Sequence, residues 1–268
     1  MKTIPKTIPK IIHFCWFGGN PLPEEAKLCL ESWKKYCPDY QIVEWNEKNF
    51  DVFSCHYAAQ AYEANMWAFV SDYARIKILY EQGGVYMDVD VELIKNIDPL
   101  LRDKAFMGFE AKLFVNSGLI SGSIPNLSIF RELINKYEKK YEFINSDGTL
   151  NLTPCVEYQT ELLMKYGLKK ENIIQVVEDM KIYPIEYFSP FNHYTGRLNI
   201  TEETYSIHKY AGTWTPETGR YGNKLKWKYM NKYGVFWGSI FRLIPYVIYI
   251  VRHDGMNGLL NKIKNRLK

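Results

Sequence analysis

Residues 71–90 read SDYARIKILYEQGGVYMDVD, and this stretch is the most informative part of the sequence. Apolar residues recur at helical spacing over residues 67–82, and two glycines follow as a stop signal, which predicts a helix. Residues 85–90 predict a buried strand that ends in two acids. A helix followed by such a strand is typical of an open α/β sheet, in which ligands bind at the carboxyl ends of strands.

The sequence before this stretch predicts the start of a parallel sheet. Residues 8–17 (IPKIIHFCWF) form an apolar run that predicts a buried strand. A helix is expected from Pro23 to about Lys35, with acids in its first turn, and a second strand over 40–45. Strand, helix and strand in this order favour a parallel pair covered by the helix. Further helices are expected over 126–143 and 156–166, and further strands over 106–110, 114–121, 173–177, 181–183 and 205–209.

Composition indicates a globular protein with a substantial core. The 268 residues are 47% apolar, 24% charged and 16% aromatic. Five cysteines without a CxxC pair argue against a disulfide framework or a zinc site. The amino terminus lacks the apolar segment of a signal peptide, which favours the cytoplasm. We therefore expect an α/β domain over 1–219 and a helical tail over 220–268.

The tail differs from the rest of the chain in charge. Residues 220–268 contain eleven Lys and Arg against one Asp, a net charge of +10 within a total of +4, so the remainder carries −6. Within the tail, residues 235–251 (VFWGSIFRLIPYVIYIV) are almost entirely apolar. Aromatic residues with basic flanks favour an amphipathic helix on an anionic membrane surface, at the inner face of the plasma membrane. A buried helix is the alternative, and no nucleic-acid motif is present.

The two acids predict a metal site. Side chains two apart in an extended strand point the same way, so Asp88 and Asp90 can converge on one cation. Carboxylate oxygens suit Mn²⁺ or Mg²⁺, and such an ion can bridge a diphosphate. The alternative is an acidic turn without an ion. Asp72 and Arg75 share one helix face, and they form either a surface ion pair or contacts to hydroxyls and phosphate.

Three blocks of this sequence together resemble a known family. They are IPKIIHFCWFGG at 8–19, the block 71–90 and IHKYAGTW at 207–214. They resemble the DXD-containing sugar transferases of glycosyltransferase family 32, which includes yeast initiating mannosyltransferases and bacterial capsule enzymes. They are also similar to the glucosyltransferase domain of large clostridial toxins. The resemblance is close up to about residue 98 and then thins until residue 208.

The resemblance implies a GT-A (Rossmann-like, nucleotide-sugar-binding) fold, a nucleotide-diphosphate sugar donor, with UDP-sugar favoured, and retention of anomeric configuration. It implies Mn²⁺, or Mg²⁺, and a glycan or polyprenyl-linked acceptor in capsular or surface polysaccharide synthesis. The implied catalytic residues are Asp88, Asp90 and Arg75, and the implied metal ligands are Asp90, Asp88 and His208. The implied donor contacts are Cys15, Trp16, Phe17, Ser71, Asp72, Arg75, Tyr86, Asp88, Asn116 and Trp214.

Two other functions remain open at this point. One is a membrane-associated protein that binds carbohydrate on a decayed transferase fold, against which the complete set of acids, Arg75 and His208 argues. The other is a phosphatase of the haloacid-dehalogenase type, which also uses DxD after a strand. That class needs the pair on its first strand and Thr or Val four residues after the first Asp, where this chain has Glu92.

Overall fold

The computed structural model describes residues 7–212, 215 and 217–267, with side chains described up to 264. The described chain forms two compact units. The first, which we call the core unit, contains the described residues up to Pro190 together with Ile200–Lys209. The second, the C-terminal unit, contains Phe191–Asn199 and the described residues from Tyr210 onward. The predicted division at residues 219 and 220 stays a prediction.

The core unit begins with a strand, a helix and a strand, and its later helices and strands do not alternate regularly. Its helices are α1 (Glu24–Tyr36), α2 (His56–Glu63), α3 (Trp67–Gln82), α4 (Ser128–Lys139), α5 (Cys155–Lys165) and α6 (Ile185–Phe188). Its strands are β1 (Ile11–Cys15), β2 (Gln41–Trp45), β3 (Gly84–Tyr86), β4 (Val91–Leu93), β5 (Ala105–Glu110), β6 (Phe114–Asn116), β7 (Ser121–Ser123), β8 (Gln175–Val177), β9 (Met180–Tyr183) and β12 (Ser206–His208). The strands β10 (Phe191–Asn192) and β11 (Arg197–Leu198) belong to the C-terminal unit.

A mixed sheet forms the centre of the core unit. Its strand order is β2-β1-β3-β7-β5-β9-β8, with β6 paired to β5. The β1 strand is parallel to β2 and to β3, as the strand–helix–strand pattern predicts, whereas β7 runs antiparallel to both β3 and β5. The expected fold class, a mixed α/β sheet flanked by helices with a helical tail, is confirmed.

Two apolar cores cover the two faces of this sheet. Along β5, Phe106 packs into one core and Met107 into the other, as expected when successive side chains of a strand alternate between faces. One core is closed by α1 through Trp33, which is fully buried. The other is closed by α3, α4 and α5. Full burial of one large apolar side chain contributes about 1.5–3 kcal/mol, so these cores hold the sheet rigid beneath its loops.

The sequence predicts the helix α3 correctly and the strand after it too long. The α3 helix spans Trp67–Gln82, and Gly83 follows it with φ 67° as its C-terminal cap. Gly84, at φ 94°, lies so close to β1 that a Cβ there would come within 2.8 Å of the Ile11 carbonyl oxygen. The strand predicted over 85–90 is only Gly84–Tyr86, because the chain leaves the strand after Tyr86 and turns at the two acids.

Other expected elements need correction. The strand predicted over 114–121 is two separate strands, β6 and β7, and the short helix α2 was not predicted. An eight-residue helix between loops has too few turns for a clear apolar period. His13 lies on β1, between β2 and β3 and so away from the sheet edge.

The C-terminal unit consists of a small hairpin and two long helices. The hairpin pairs β10 (Phe191–Asn192) with β11 (Arg197–Leu198), and the helices are α7 (Glu217–Phe241) and α8 (Leu243–Leu267). Each helix is interrupted at a glycine with positive φ, Gly234 in α7 and Gly255 in α8. The single helix expected over 235–251 is divided at Arg242, because α7 ends at Phe241 and α8 begins at Leu243. No single described helix is long and apolar enough to cross a membrane, although α7 and α8, bent by 58°, meet that criterion of length and composition as a pair.

Candidate metal and donor site

The two acids of the DxD motif lie in a turn that follows β3. The Val91 amide donates to the Asp88 carbonyl at 3.0 Å, which closes the turn. The Asp88 amide donates to the Gly118 carbonyl at 3.0 Å, which ties the turn to the loop before β7. The two acids do lie close together, as expected, but they lie in a turn, so the alternation of side chains along a strand is not the cause. The turn brings their carboxylates together.

His208 reaches this turn from the far end of the core unit's sequence. The β12 strand pairs antiparallel with β4, so that His208 lies opposite Val91, the residue after the motif. The Lys209 amide donates to the Asp90 carbonyl at 2.9 Å, which extends the pairing by one residue. The Nε2 atom of His208 lies 3.1 Å from Oδ1 of Asp90. Main-chain pairing therefore places a residue 118 positions away beside the motif.

Asp88, Asp90 and His208 form a group with the spacing of metal ligands. One ligand atom from each lies within 4.8 Å of the others. Ligands about 2.1 Å from an ion are up to about 4.2 Å apart, so small side-chain movements bring all three onto one cation. Two carboxylate oxygens and one imidazole nitrogen are donors suited to Mn²⁺ and related ions. The residues present thus fit a divalent cation; their role as ligands stays a prediction.

The protonation of His208 responds to the neighbouring acids. Burial acts to lower the pKa of His208, but the Asp90 carboxylate and, more weakly, Asp88 outweigh it, so that the pKa is raised above its ordinary value. The imidazolium form is favoured while only a carboxylate faces it. A cation at the same place would compete with that proton, because a metal ligand must be the neutral imidazole.

Arg75 connects the acids of two elements. Its Nη2 atom lies 3.0 Å from Oδ1 of Asp72, one turn earlier on α3, and 3.2 Å from Oδ1 of Asp88. Its side chain is only 6% exposed. The alternative of a surface ion pair is therefore wrong. A buried guanidinium held by two carboxylates is a fixed positive charge next to the DxD turn.

Tyr86 lies under the same charges. Its hydroxyl donates to Oδ1 of Asp88 at 2.9 Å, and its ring centroid is 5.1 Å from the Arg75 guanidinium carbon. Burial, with the Asp88 charge, raises the pKa of Tyr86 well above its ordinary value, so the hydroxyl stays a donor. The Cys15 thiol is within hydrogen-bonding reach of this hydroxyl, and burial raises the pKa of Cys15 to about 12.

The site is acidic overall. Burial raises the pKa values of Asp72 and Asp88, while Arg75 opposes that rise for both. With these two and Asp90 ionised, three carboxylates face one guanidinium, so the formal charge is −2 while His208 is neutral. A divalent cation would balance this charge.

Several residues of the site were not anticipated, and Gly118 is the clearest. A Cβ at this position would come within 2.1 Å of Oδ2 of Asp88 and 2.5 Å of Nη1 of Arg75. The Gly118 amide donates to Oδ1 of Asn116 at 2.6 Å, and Nδ2 of Asn116 donates to Oε2 of Glu110 at 2.9 Å. No motif marks Gly118 in the sequence, because its role depends on two side chains from other elements.

Helix α5 supports this loop from below. Oε1 of Gln159 accepts from the Ser117 amide at 3.0 Å, and its Nε2 donates to the Ser117 hydroxyl at 2.8 Å. The Thr160 hydroxyl accepts from the Val115 amide at 2.8 Å. Gln159 and Thr160 are both buried. The sequence offers one signal for this role, which is that the polar residues Gln159 and Thr160 lie on the buried face of a predicted helix. At the start of α5, the Cys155 thiol hydrogen-bonds the Asp72 carboxylate.

The other expected donor contacts lie at varying depth. The Trp16 side chain is partly buried, and its indole donates to the Asn20 carbonyl at 2.5 Å. Phe17 is buried against Phe50. The Ser71 hydroxyl donates to the Trp67 carbonyl at 3.1 Å, within α3. Trp214 lies outside the described residues. The contacts of all these residues to a donor stay predictions.

Comparisons with known proteins agree with this site. Residues 23–107, which include the DxD turn and Arg75, match the family described as "glycosyltransferase sugar-binding region containing DXD motif". Inositol phosphoceramide mannosyltransferase 1 of Schizosaccharomyces pombe is 31% identical over 209 residues, which is 70% of this chain and 61% of that protein. Mannosyl phosphorylinositol ceramide synthase CSH1 of Saccharomyces cerevisiae is 30% identical over 52% of this chain and 38% of its own length.

A viral relative is covered more completely. An uncharacterized glycosyltransferase, L373, of Acanthamoeba polyphaga mimivirus is 25% identical over 85% of this chain and 91% of its own length. Among solved structures, the glycosyltransferase PaToxG aligns with a TM-score of 0.44 at 18% identity, over 60% of this chain and 70% of that one. The match to the DXD-containing glycosyltransferase family thus lies over residues 23–107, and the chain spans about three fifths or less of the length of the two yeast relatives.

Proposed function

We propose that this protein is a metal-dependent, retaining glycosyltransferase. It moves a hexose or N-acetylhexosamine from a nucleotide-diphosphate sugar, with a UDP-sugar favoured, to a glycan or lipid-linked acceptor in capsular or other surface polysaccharide synthesis. The observation that carries the proposal is the group of Asp88, Asp90 and His208 with Arg75 beside it. The family match over residues 23–107 supports the transfer of a sugar.

The geometry supports electrostatic stabilisation of a leaving diphosphate. Asp88, Asp90 and His208 would hold Mn²⁺, or Mg²⁺, and the imidazole donor favours Mn²⁺ because Mg²⁺ prefers oxygen ligands. When bound, the ion neutralises charge that grows on the diphosphate. The Arg75 guanidinium, fixed by Asp72 and Asp88, adds a positive charge that need not reorganise during the reaction.

The remaining steps of the mechanism concern the sugar and the acceptor. The bond between the sugar and the diphosphate breaks through an oxocarbenium-like transition state, and the acceptor hydroxyl attacks the same face. Its proton passes to the departing phosphate oxygen, so that the protein has no covalent part. The Tyr86 hydroxyl holds the Asp88 carboxylate in place during this step.

The alternative of a carbohydrate-binding protein on a decayed transferase fold predicts a loosened site. Here the acids, Arg75, Tyr86 and His208 are connected by hydrogen bonds and ion pairs. This favours an active enzyme. A phosphatase of the haloacid-dehalogenase type is disfavoured as well, because the two acids follow the third strand of the chain.

The test is a donor-hydrolysis screen. Purified protein is incubated with UDP- and GDP-sugars, in Mn²⁺ or in EDTA, and the released nucleotide diphosphate is measured. The panel includes a mannose donor because the names of the yeast relatives describe mannosyl transfer. Release from one donor in Mn²⁺ alone supports the proposal and names the sugar. No release, together with no binding of UDP or GDP and Mn²⁺ by calorimetry, refutes it.

A further inference from the structure

The most exposed apolar surface of the described chain lies in the C-terminal unit, around the junction of α7 and α8. Ten large apolar side chains between residues 233 and 248 are each 39–70% exposed. Phe236 and Ile244, on either side of the junction, are both 70% exposed. The ten side chains are Tyr233, Val235, Phe236, Trp237, Ile240, Phe241, Leu243, Ile244, Val247 and Ile248. Exposed apolar patches of this kind mark an interaction surface.

The backbone delimits this apolar segment. Gly234 breaks α7 at φ 77° at its start, and Gly255 breaks α8 at φ 68° after it. The chain bends by 58° between the two helices, within the apolar segment. The result is a bent apolar element at the junction, which we call the apolar elbow (residues 233–248), with a helical arm leading into it and another leading away.

Contacts within the C-terminal unit hold the arms in this arrangement. The Tyr249 ring stacks on Tyr221 with centroids 3.7 Å apart, and its hydroxyl donates to Glu217 at 3.1 Å. A Cβ on Gly222 would come within 2.7 Å of the Tyr246 ring, so that the two arms pack closely. Tyr246 and Tyr249 thus face inward and secure the arms, whereas Phe236, Trp237 and Phe241 stay exposed.

Charge identifies the partner. Arg242 is the only charged residue between Tyr233 and Val251, whereas both arms are basic. Lys224, Lys228 and Lys232 are exposed on the first arm, and Arg252 and Lys264 are exposed on the second. An apolar centre rich in aromatic residues, with basic residues on both sides, complements the acyl chains and headgroups of an anionic bilayer.

We propose that the apolar elbow inserts into one leaflet of an anionic membrane while the basic arms lie on the headgroups. The exposed apolar residues lie around the bend, and exposed basic residues lie on both arms, which suits attachment within one leaflet. On the cytoplasmic face, this attachment would hold the enzyme at the surface where a lipid-linked acceptor is presented. The attachment does not depend on the transferase activity.

The experiment is flotation of the full chain with phosphatidylcholine vesicles containing 30% or no phosphatidylglycerol. The probe variant is the triple change Phe236→Ser, Trp237→Ser and Ile244→Ser. The matched control is Leu28→Ser, Phe53→Ser and Val176→Ser, three apolar residues of similar exposure (63–71%) in the core unit. All six side chains are more than half exposed, so neither variant loses a packed core residue.

The wild type and the control are expected to float with anionic vesicles, and to bind neutral vesicles at least about tenfold more weakly, because several basic residues lose their partners. The elbow variant is expected to lose at least about tenfold in affinity for anionic vesicles. Asp90→Asn should bind vesicles as the wild type does, which separates this proposal from the proposed activity. Equal binding by the elbow and control variants overturns the proposal. The proposal is also overturned if the apolar elbow joins two copies of the chain. In that case the wild type is a dimer without vesicles, and the elbow variant is a monomer.

Discussion

At the scale of single residues, Asp90 is the acid of the DxD turn that lies beside His208. It contacts His208 directly, and its carbonyl accepts from Lys209, so the backbone around it is fixed independently of its side chain. We therefore expect Asp90→Asn to fold normally. Loss of one charged ligand should lower metal-dependent donor hydrolysis by about 100-fold or more.

The measurement for Asp90→Asn has two parts, turnover in Mn²⁺ and the Mn²⁺-induced rise in melting temperature. When Mn²⁺ is present at 100 times its Kd, binding raises the unfolding free energy by about 2.7 kcal/mol, and the variant should lose this stabilisation. The control is Asp179→Asn, an exposed acid paired with Lys104. Wild-type turnover in Asp90→Asn would refute the metal assignment.

Gly118 gives a prediction of steric origin. In Gly118→Ala, the added methyl group would overlap Asp88 and Arg75 and push the DxD turn away from its loop. Overpacking of this kind costs about 1–3 kcal/mol of unfolding free energy, and Mn²⁺ affinity should fall by about tenfold or more. Calorimetric titration and urea unfolding check both. Gly219→Ala, within α7 and with the nearest atom 3.9 Å from the new Cβ, should leave the Mn²⁺ affinity unchanged and should not lower the unfolding free energy.

At the scale of elements, α5 sets the position of the loop that carries Asn116 and Gly118. Gln159→Leu keeps a similar volume but removes both bonds to Ser117 and leaves a buried amide without its acceptor, at a cost of about 1–3 kcal/mol. Since this loop holds the Asp88 amide, the Kd for Mn²⁺ should rise by about tenfold.

The control for α5 is Gln175→Leu, which removes comparable bonds to Lys169 and Glu171 at the edge strand β8. Mn²⁺ affinity should be measured for both variants by electron paramagnetic resonance of free Mn²⁺. If both variants lose stability but neither changes in affinity, α5 supports the fold alone.

At the scale of the whole molecule, His13 predicts how folding stability depends on pH. The Trp45 indole donates to its Nδ1 at 3.0 Å, so Nε2 carries the proton and donates to the Gly83 carbonyl at 2.9 Å. Burial lowers the pKa of His13 to about 4 from 6.5, which the bond to Gly83 only partly opposes. The unfolded chain therefore binds more protons than the native chain below pH 6.5.

Stability from this residue is complete above pH 6.5 and is lost as the pH falls through about 4. The loss is on the order of 3 kcal/mol. Urea unfolding at pH 7, 5.5 and 4.5 should show a steeper decline for the wild type than for His13→Gln. Parallel declines would contradict the assignment of His13 as a buried neutral residue.

Patterns of short range in the sequence determined much of this protein. The helix over Trp67–Gln82, its glycine cap and the parallel pair β1–β2 follow from apolar spacing and stop signals between residues near one another in the chain. The sequence, through a resemblance carried by three blocks, names Asp88, Asp90 and His208 as one group of metal ligands; the three side chains lie together in the structure, and their role as ligands stays a prediction. The amino acids themselves carry such signals, since spacing and residue type do not depend on contacts with distant parts of the chain.

Tertiary structure alone decided how these parts meet. Burial of Arg75 between two acids, the turn that aligns Asp88 with Asp90, and the steric need for Gly118 all arise from contacts between separate elements. Likewise, the pairing of β12 with β4 sets where His208 lies, and the pattern of β12 alone does not name its partner. The physical reason is that a residue's burial and neighbours depend on the packing of the whole chain, which local patterns restrict but do not specify.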